Sequence, residues 1–241
     1  MKLKIIYEPS GKALEYAPLG LNLFRGCLNG CTYCYVPRIY HQPAEEFYAN
    51  CYAVKDWESR LAKDLVTLKE QGRQHDEVLL SFATDPFQPD KQLAMITHQV
   101  LKMLSEAGQR FGTLSKSPTN MIAEGSKFYS SNDSFGITLT QIVSWKFEPN
   151  ADSWLKRISM LELFKTLKVK TWISFEPAIS YKDIMFFYDR TKEYCDLYRI
   201  GAASKRLSDI DLYQLTNDFV DRCTKDGKEF YVKESLRRYV K

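Results

Sequence analysis

The chain has 241 residues, 44% hydrophobic and 27% charged, with a formal charge of +4. That is the balance of a globular protein with room for one large domain or two small ones, and the mild charge permits an acidic partner without demanding one. No apolar run approaches the roughly 18 residues of a membrane span and no leader-like start is present, so no membrane contact and a cytoplasmic location are expected.

Short apolar or β-branched runs alternate with amphipathic ones. The first predicted strand is 20-GLNLF-24, and it leads straight into 26-GCLNGCTYCYVP-37, which holds three of the six cysteines. Leu61, Leu65 and Leu68 then share one face of a helix over about 58–72. Strand 77-EVLLSFA-83 is followed by the polar turn 84-TDPFQPD-90 and a helix over 90–107. Strand 110-RFGTLSK-116 ends in 115-SKSP-118, with a helix expected over 118–131. Strand 135-FGITLT-140 carries Thr138 and Thr140 at its end. A helix over about 152–168 places Trp154, Ile158, Leu161, Phe164 and Leu167 on one face. Strand 170-KTWISFE-176 precedes a helix over 180–195, and strand 197-LYRIGA-202 precedes the polar run 201-GAASKR-206. The last helix, about 208–226, aligns Leu212, Leu215, Phe219 and Cys223.

Strand and helix alternating six times predicts parallel strands joined by right-handed crossovers. Six units fall short of the eight of a closed barrel, so a partial (β/α)6 TIM-like barrel is expected, with a doubly wound open sheet as the competing arrangement. The whole of 1–241 reads as one domain with its core over about 19–233 and a short basic tail at 234–241. In such folds ligands bind at the C-terminal ends of the strands, where the polar loops gather here. From Lys225 onward six Lys/Arg stand against three Asp/Glu, with Phe230, Tyr231 and Tyr239 among them. That composition suits backbone contacts and base stacking on a nucleic acid, and equally a final strand or helix closing the barrel.

Reduced, clustered cysteines bind metal or do chemistry more often than they form disulfides. Cys27, Cys31 and Cys34, at C-x3-C-x2-C on the loop after the first strand, supply three soft ligands. A structural zinc site would need a fourth from His41 or Cys51, and no second cysteine pair is present. A [4Fe-4S] cluster held by three cysteines leaves one iron open to an outside ligand, and this is the expected occupant.

The C-x3-C-x2-C spacing, with an aromatic before the third cysteine, resembles the radical S-adenosylmethionine (SAM) superfamily. Asn22-Leu23-Phe24-Arg25-Gly26-Cys27, the 84–89 turn and Thr113-Leu114-Ser115-Lys116-Ser117-Pro118 resemble its spore photoproduct lyase-like branch. The closing stretches 197–206 and 228–237 are also similar to phage Gp37/Gp68-type proteins. The resemblance implies a [4Fe-4S] cluster on Cys27, Cys31 and Cys34, S-adenosyl-L-methionine on its open iron, and an external one-electron donor. It implies Tyr33 against the adenine, Thr84 and Asp85 on the methionyl amino group, Lys116 on the carboxylate, and Thr138 and Thr140 near the ribose.

One position departs from that branch. Where the lyase carries its hydrogen-donor cysteine, this chain has Phe82. Tyr35 matches a tyrosine proposed to relay the radical, and Cys51 is the remaining candidate for the missing thiol. Cys223 reads as core, and Cys195 as lying at the far end of the barrel. The expected activity is hydrogen abstraction from a substrate, with a nucleic acid or nucleotide favoured. A protein or peptide substrate and a non-catalytic metal-binding nucleic-acid adaptor are the alternatives. No surplus apolar stripe calls for a second copy, so a monomer is expected.

Overall fold

The computed structural model describes residues 2–203 and 210–241. Residues 204–206 of the predicted polar run, and residues 208 and 209 of the predicted last helix, lie outside the described residues. Strand β1 (Ile6–Tyr7) pairs antiparallel with β2 (Leu19–Leu21). The predicted first strand breaks after Leu21, and Phe24–Arg25 forms a separate β3 that pairs antiparallel with β4 (Tyr52–Ala53). Between β3 and β4 lie two short helices, α1 (Val36–Ile39) and α2 (Ala44–Ala49). Then follow α3 (Trp57–Glu70), β5 (Val78–Leu80), α4 (Lys91–Glu106), β6 (Phe111–Ser115) and β7 (Ser134–Thr138). The chain continues through α5 (Trp154–Thr166), β8 (Lys170–Ala178), α6 (Tyr181–Thr191) and β9 (Leu197–Ala202). It ends with α7 (Leu212–Lys225), β10 (Glu229–Val232) and α8 (Glu234–Arg237).

The strands order as β1-β2-β5-β6-β7-β8-β9-β10, all parallel from β2 onward. Neighbours follow chain order without a reversal, so every right-handed crossover moves the same way and the helices fall on one face. A doubly wound sheet requires a reversal, and this sheet has none. The result is an open, partial TIM-like barrel. Its main core lies between sheet and helices and includes Leu80, Phe111, Phe135, Ile173 and Phe219, while Ala17, Leu79, Trp172 and Leu197 form a smaller cluster on the opposite face. Residues alternate between the two, as strand geometry requires.

Three expectations need correction. The 118–131 helix is instead two 3-10 turns, Pro118–Asn120 and Ala123–Phe128, because Met121 and Ile122 between them are extended. Leu167 does not join the apolar face of α5: the helix stops at Thr166, Lys168 takes a left-handed φ of 61°, and Leu167 is exposed. The basic C-terminus is not a free tail, since β10 extends the sheet and Leu236 of α8 is fully buried. Cys223 is in the core, and the buried Cys195 lies beyond the end of α6, its thiol donating to the Leu197 carbonyl.

The open side of the barrel is spanned by the segment before β2. Glu15 accepts from the Glu234 amide at 2.8 Å and from Tyr231 at 3.3 Å, and its backbone carbonyl accepts from Arg199. Arg199 in turn lies 5.3 Å from the Tyr16 ring and 5.4 Å from those of Trp172 and Tyr231. The two edges of the sheet are thereby fastened together. Replacing Glu15 with Ala removes the two side-chain bonds, to Tyr231 and the Glu234 amide, and is expected to lower the unfolding free energy by about 1–3 kcal/mol in urea titration, with the helical content of the native state unchanged.

Candidate active site

The β3–β4 pair closes residues 26–51 into a loop anchored at its neck. Gly26 has φ +79°, and a Cβ there would lie 1.7 Å from the Asn50 carbonyl oxygen, so only glycine fits. The loop is then tied down along its length. The Cys27 amide donates to the Phe47 carbonyl at 3.1 Å and the Thr32 amide to the Phe147 carbonyl at 2.9 Å. The Tyr48 hydroxyl donates to the Cys31 carbonyl at 2.8 Å. Fully buried Gln88, in the turn after β5, accepts from the Leu28 amide at 2.9 Å and donates to the Cys27 sulfur at 3.5 Å.

Cys27, Cys31 and Cys34 all line one cavity of about 720 Å³ at the C-terminal ends of the strands, together with Tyr33, Tyr35, Phe82, Thr84, Lys116 and Thr138. Burial pushes all three thiols above their usual pKa. A metal that binds them must displace their protons. Among the described residues no three His, Cys, Asp or Glu converge on the position of a single ion, and His41 is exposed. Neither candidate for a fourth zinc ligand lines the cavity with the three cysteines. Thiolates around a multi-iron cluster sit at separate corners and need no such point of convergence.

Asp85 corrects the expectation placed on it. Its Oδ1 accepts from Ser115 Oγ at 2.7 Å and the Phe87 amide at 2.9 Å; its Oδ2 accepts from the Lys116 amide at 2.7 Å and Asn29 Nδ2 at 3.0 Å. A carboxylate has about four acceptor sites, so none is left for a ligand's amino group. Asp85 joins the cysteine loop to the turns after β5 and β6. Ser117 reinforces that junction, donating to Asn29 Oδ1 at 2.7 Å. Beside it, the buried Thr84 Oγ1 has no partner among the described residues and belongs to a cavity-lining residue. An orphaned hydroxyl of this kind is what a bound polar group would satisfy.

Across the loop lies a buried ion pair that composition and spacing did not reveal. Arg157 Nη2 meets Glu148 Oε2 at 2.5 Å, and both side chains are all but sealed from solvent. Glu148 also accepts from the Tyr33 hydroxyl and, at 3.4 Å, from Thr140 Oγ1. Burial would raise the Glu148 pKa, but Arg157 and Lys116 hold it below the usual carboxylate range. Thr140 therefore stands behind Tyr33 and does not line the cavity, whereas Thr138 does. The Lys116 ammonium sits 5.8 Å from the Tyr33 ring and makes no ion pair among the described residues. Burial works against its charge, but nearby Cys31 and Glu148 raise its pKa above the usual value.

The two candidates for hydrogen-atom chemistry part company. Tyr35 lines the cavity and is about half exposed, at 47%. Cys51 does not line it: its thiol donates to the Gly26 carbonyl at 3.3 Å and so belongs to the neck of the loop. Phe82 faces the cavity with its ring edge-on to Tyr7 and Tyr16, at 6.4 and 6.1 Å. Of the residues that sequence reasoning missed, Gln88 fell inside the 84–89 motif. Arg157 carried one signal, a charge at helical spacing within the Trp154–Leu161 apolar stripe.

Solved structures share this architecture. A spore photoproduct lyase variant matches with a TM-score of 0.70 at 12% identity over 95% of this chain and 78% of its own. The chain has the spore photoproduct lyase fold. A second variant of that enzyme, with bound AdoMet and dinucleoside spore photoproduct, matches with a TM-score of 0.66 at 13% identity over 83% of this chain and 59% of its own. Streptococcus suis SuiB bound to S-adenosylmethionine matches with a TM-score of 0.61 at 12% identity over 87% of this chain and 45% of its own. The chain thus spans about half the length of the SuiB structures it matches. No protein-family model and no curated protein matches the sequence.

Two substitutions separate anchoring from ligand contact. Asp85→Asn turns an amide N–H₂ toward groups that are themselves donors, and is expected to destabilise the ligand-free protein by about 1–3 kcal/mol in denaturant melts. A residue serving only a ligand would leave that value unchanged. Gly26→Ala is expected to lower the iron retained after anaerobic reconstitution, measured by iron and sulfide analysis, because the neck of the loop must open to admit the methyl group.

Proposed function

We propose that the protein is a radical SAM enzyme, and the observation that carries this is the convergence of three thiols from one anchored loop on a single cavity of the lyase-type barrel. Cys27, Cys31 and Cys34 would hold a [4Fe-4S] cluster. The unpartnered Thr84 hydroxyl and the unpaired Lys116 ammonium fit the amino-acid end of SAM. Lys116 would meet its carboxylate in a charge-assisted hydrogen bond. Tyr33, its hydroxyl held by Glu148, would present a ring to the adenine, and Thr138 lies along the same wall. When bound, cluster and SAM supply a 5′-deoxyadenosyl radical by one-electron cleavage of the sulfonium.

The chain's own contribution is binding, orientation and exclusion of water. Leu79, Phe82 and Leu114 give the cavity apolar walls that keep solvent from a reactive centre. With Phe82 where the lyase carries a thiol, and Cys51 turned to backbone, this cavity would run hydrogen abstraction without the lyase's donor. Tyr35 is an exposed cavity-lining residue with an exchangeable hydrogen beside the cysteines. A nucleic acid or nucleotide is the favoured substrate, because exposed Lys12 and Arg38 line the same cavity beside Tyr35 and suit phosphate and a base face. A peptide is the competing reading, favoured by the likeness to SuiB bound to precursor peptide SuiA.

Anaerobic reconstitution with iron and sulfide, followed by dithionite and SAM, is expected to yield 5′-deoxyadenosine by chromatography, at about four irons per chain. Cys31→Ala is expected to abolish both the product and the cluster's visible absorption. A chain that takes up zinc and no cluster would overturn the proposal.

A further inference from the structure

The wall contributed by β8–β10 carries a second group of charged side chains. Along β8 the inward residues are Trp172, Ser174 and Glu176. Glu176 Oε2 accepts from Lys233 Nζ at 2.7 Å and from the Tyr16 hydroxyl. The Lys233 ammonium lies 3.7 Å from Glu15 and 4.2 Å over the Tyr16 ring, and its side chain is only 4% exposed. Gly201 on neighbouring β9 leaves the carboxylate its space, since a Cβ there would stand 3.0 Å from it. The orientation of Glu176 is therefore fixed on one side by three other residues.

Its other side is open. Oε1 accepts no hydrogen bond among the described residues, the side chain keeps 25% exposure, and Glu176 lines the same cavity as the cysteines. A carboxylate that served only to neutralise Lys233 would gain by burying both oxygens among donors. Locked through one oxygen and free at the other, it is a preorganised acceptor, and the group it receives must be a donor. The surroundings narrow that group further. Phe82, Leu79 and Leu114 offer flat apolar contact, Tyr35 an exposed ring, and Lys12 and Arg38 two cations.

We propose that Glu176 reads the substrate, its free oxygen accepting a hydrogen bond from an N–H on the edge of a nucleobase that stacks on Tyr35. This assignment rests on the radical SAM reading of the cavity, yet it is tested by binding and not by turnover. A site built to accept a hydrogen bond discriminates against a ligand from which the donor has been removed.

The test uses the full chain, reconstituted anaerobically with SAM, and fluorescein-labelled pentathymidylate read by anisotropy. A second oligonucleotide carries a methyl group on N3 of the central base. On the unmodified protein the methyl group is expected to weaken binding by about tenfold or more, the range of a hydrogen bond to a charged group. The penalty is expected to shrink in Glu176→Gln, whose neutral acceptor makes a weaker bond, and to vanish in Glu176→Ala. Comparing two oligonucleotides on one variant cancels any general loss of folded protein. Equal binding of both by the unmodified protein overturns the proposal, as does a methyl penalty that survives Glu176→Ala. Binding of neither, with a lysine-containing peptide bound in a Glu176-dependent way, also overturns it and makes the substrate a peptide. 5′-Deoxyadenosine measured in the same samples reports separately on the radical SAM reading.

Discussion

Four donors on one buried carboxylate: the Asp85 junction is the constraint on which the rest of the site depends. Its partners come from the cysteine loop, from the end of β6 and from its own turn, so three segments distant in sequence share one anion. Taking a carboxylate out of water is costly, and filling every lone pair is what offsets that cost. Because one of the four donors is the Lys116 amide, the same bond that anchors the loop also sets where the Lys116 side chain begins. The three cysteines and Lys116 are thus held in one frame by the fold itself, which is the condition for a tight, low-reorganisation site.

The Glu148–Arg157 pair does the corresponding work on the other flank. Arg157 reaches from α5 to Glu148, to the Thr138 carbonyl at 2.8 Å and to the Asp152 carbonyl at 2.9 Å, so the ends of β7 and the following loop are gathered around one guanidinium. Buried pairs of this kind contribute little net stability, and their value lies in geometry that an apolar replacement would not specify. Here the geometry is that of Tyr33, which sits between Cys31 and Cys34 in sequence and is fixed through its hydroxyl.

Much of this was legible in the residues. Six of the seven parallel strands and the position of the cysteines follow from periodicity and spacing, because β-branched and apolar runs of that length have few other fates; the single direction of winding does not, since periodicity fits a doubly wound sheet as well. The short β3–β4 clip was not legible: two-residue strands leave no periodic trace, and their pairing is decided by where the cysteine loop returns. Gly26 hinted at it only in retrospect. Asp85 was correctly singled out and given the wrong partner, since a sequence shows an acidic residue beside a strand end but not how many donors already surround it. Thr140 and Cys51 failed for the same reason. Each is near the site in sequence, and each has its polar atom spent on a neighbour. Glu148 lay outside any motif, and only tertiary packing brings it against Tyr33.

The bridge across the open side of the barrel bears on when the cavity comes into being. Glu15 and the Glu234 amide are separated by 219 positions, and Tyr16 and Glu176 by 160. On a chain emerging from the ribosome, Cys27, Cys31 and Cys34 precede β10 by about 200 residues. The wall that faces them waits for β10. Contacts of such long range form late in folding, after the loop entropy they close has been overcome. During synthesis the cysteine loop is therefore exposed while the enclosure is still absent. Enclosure thus comes last: the thiols have an interval of open access, and the cavity around them is complete only once the last strand has joined the sheet.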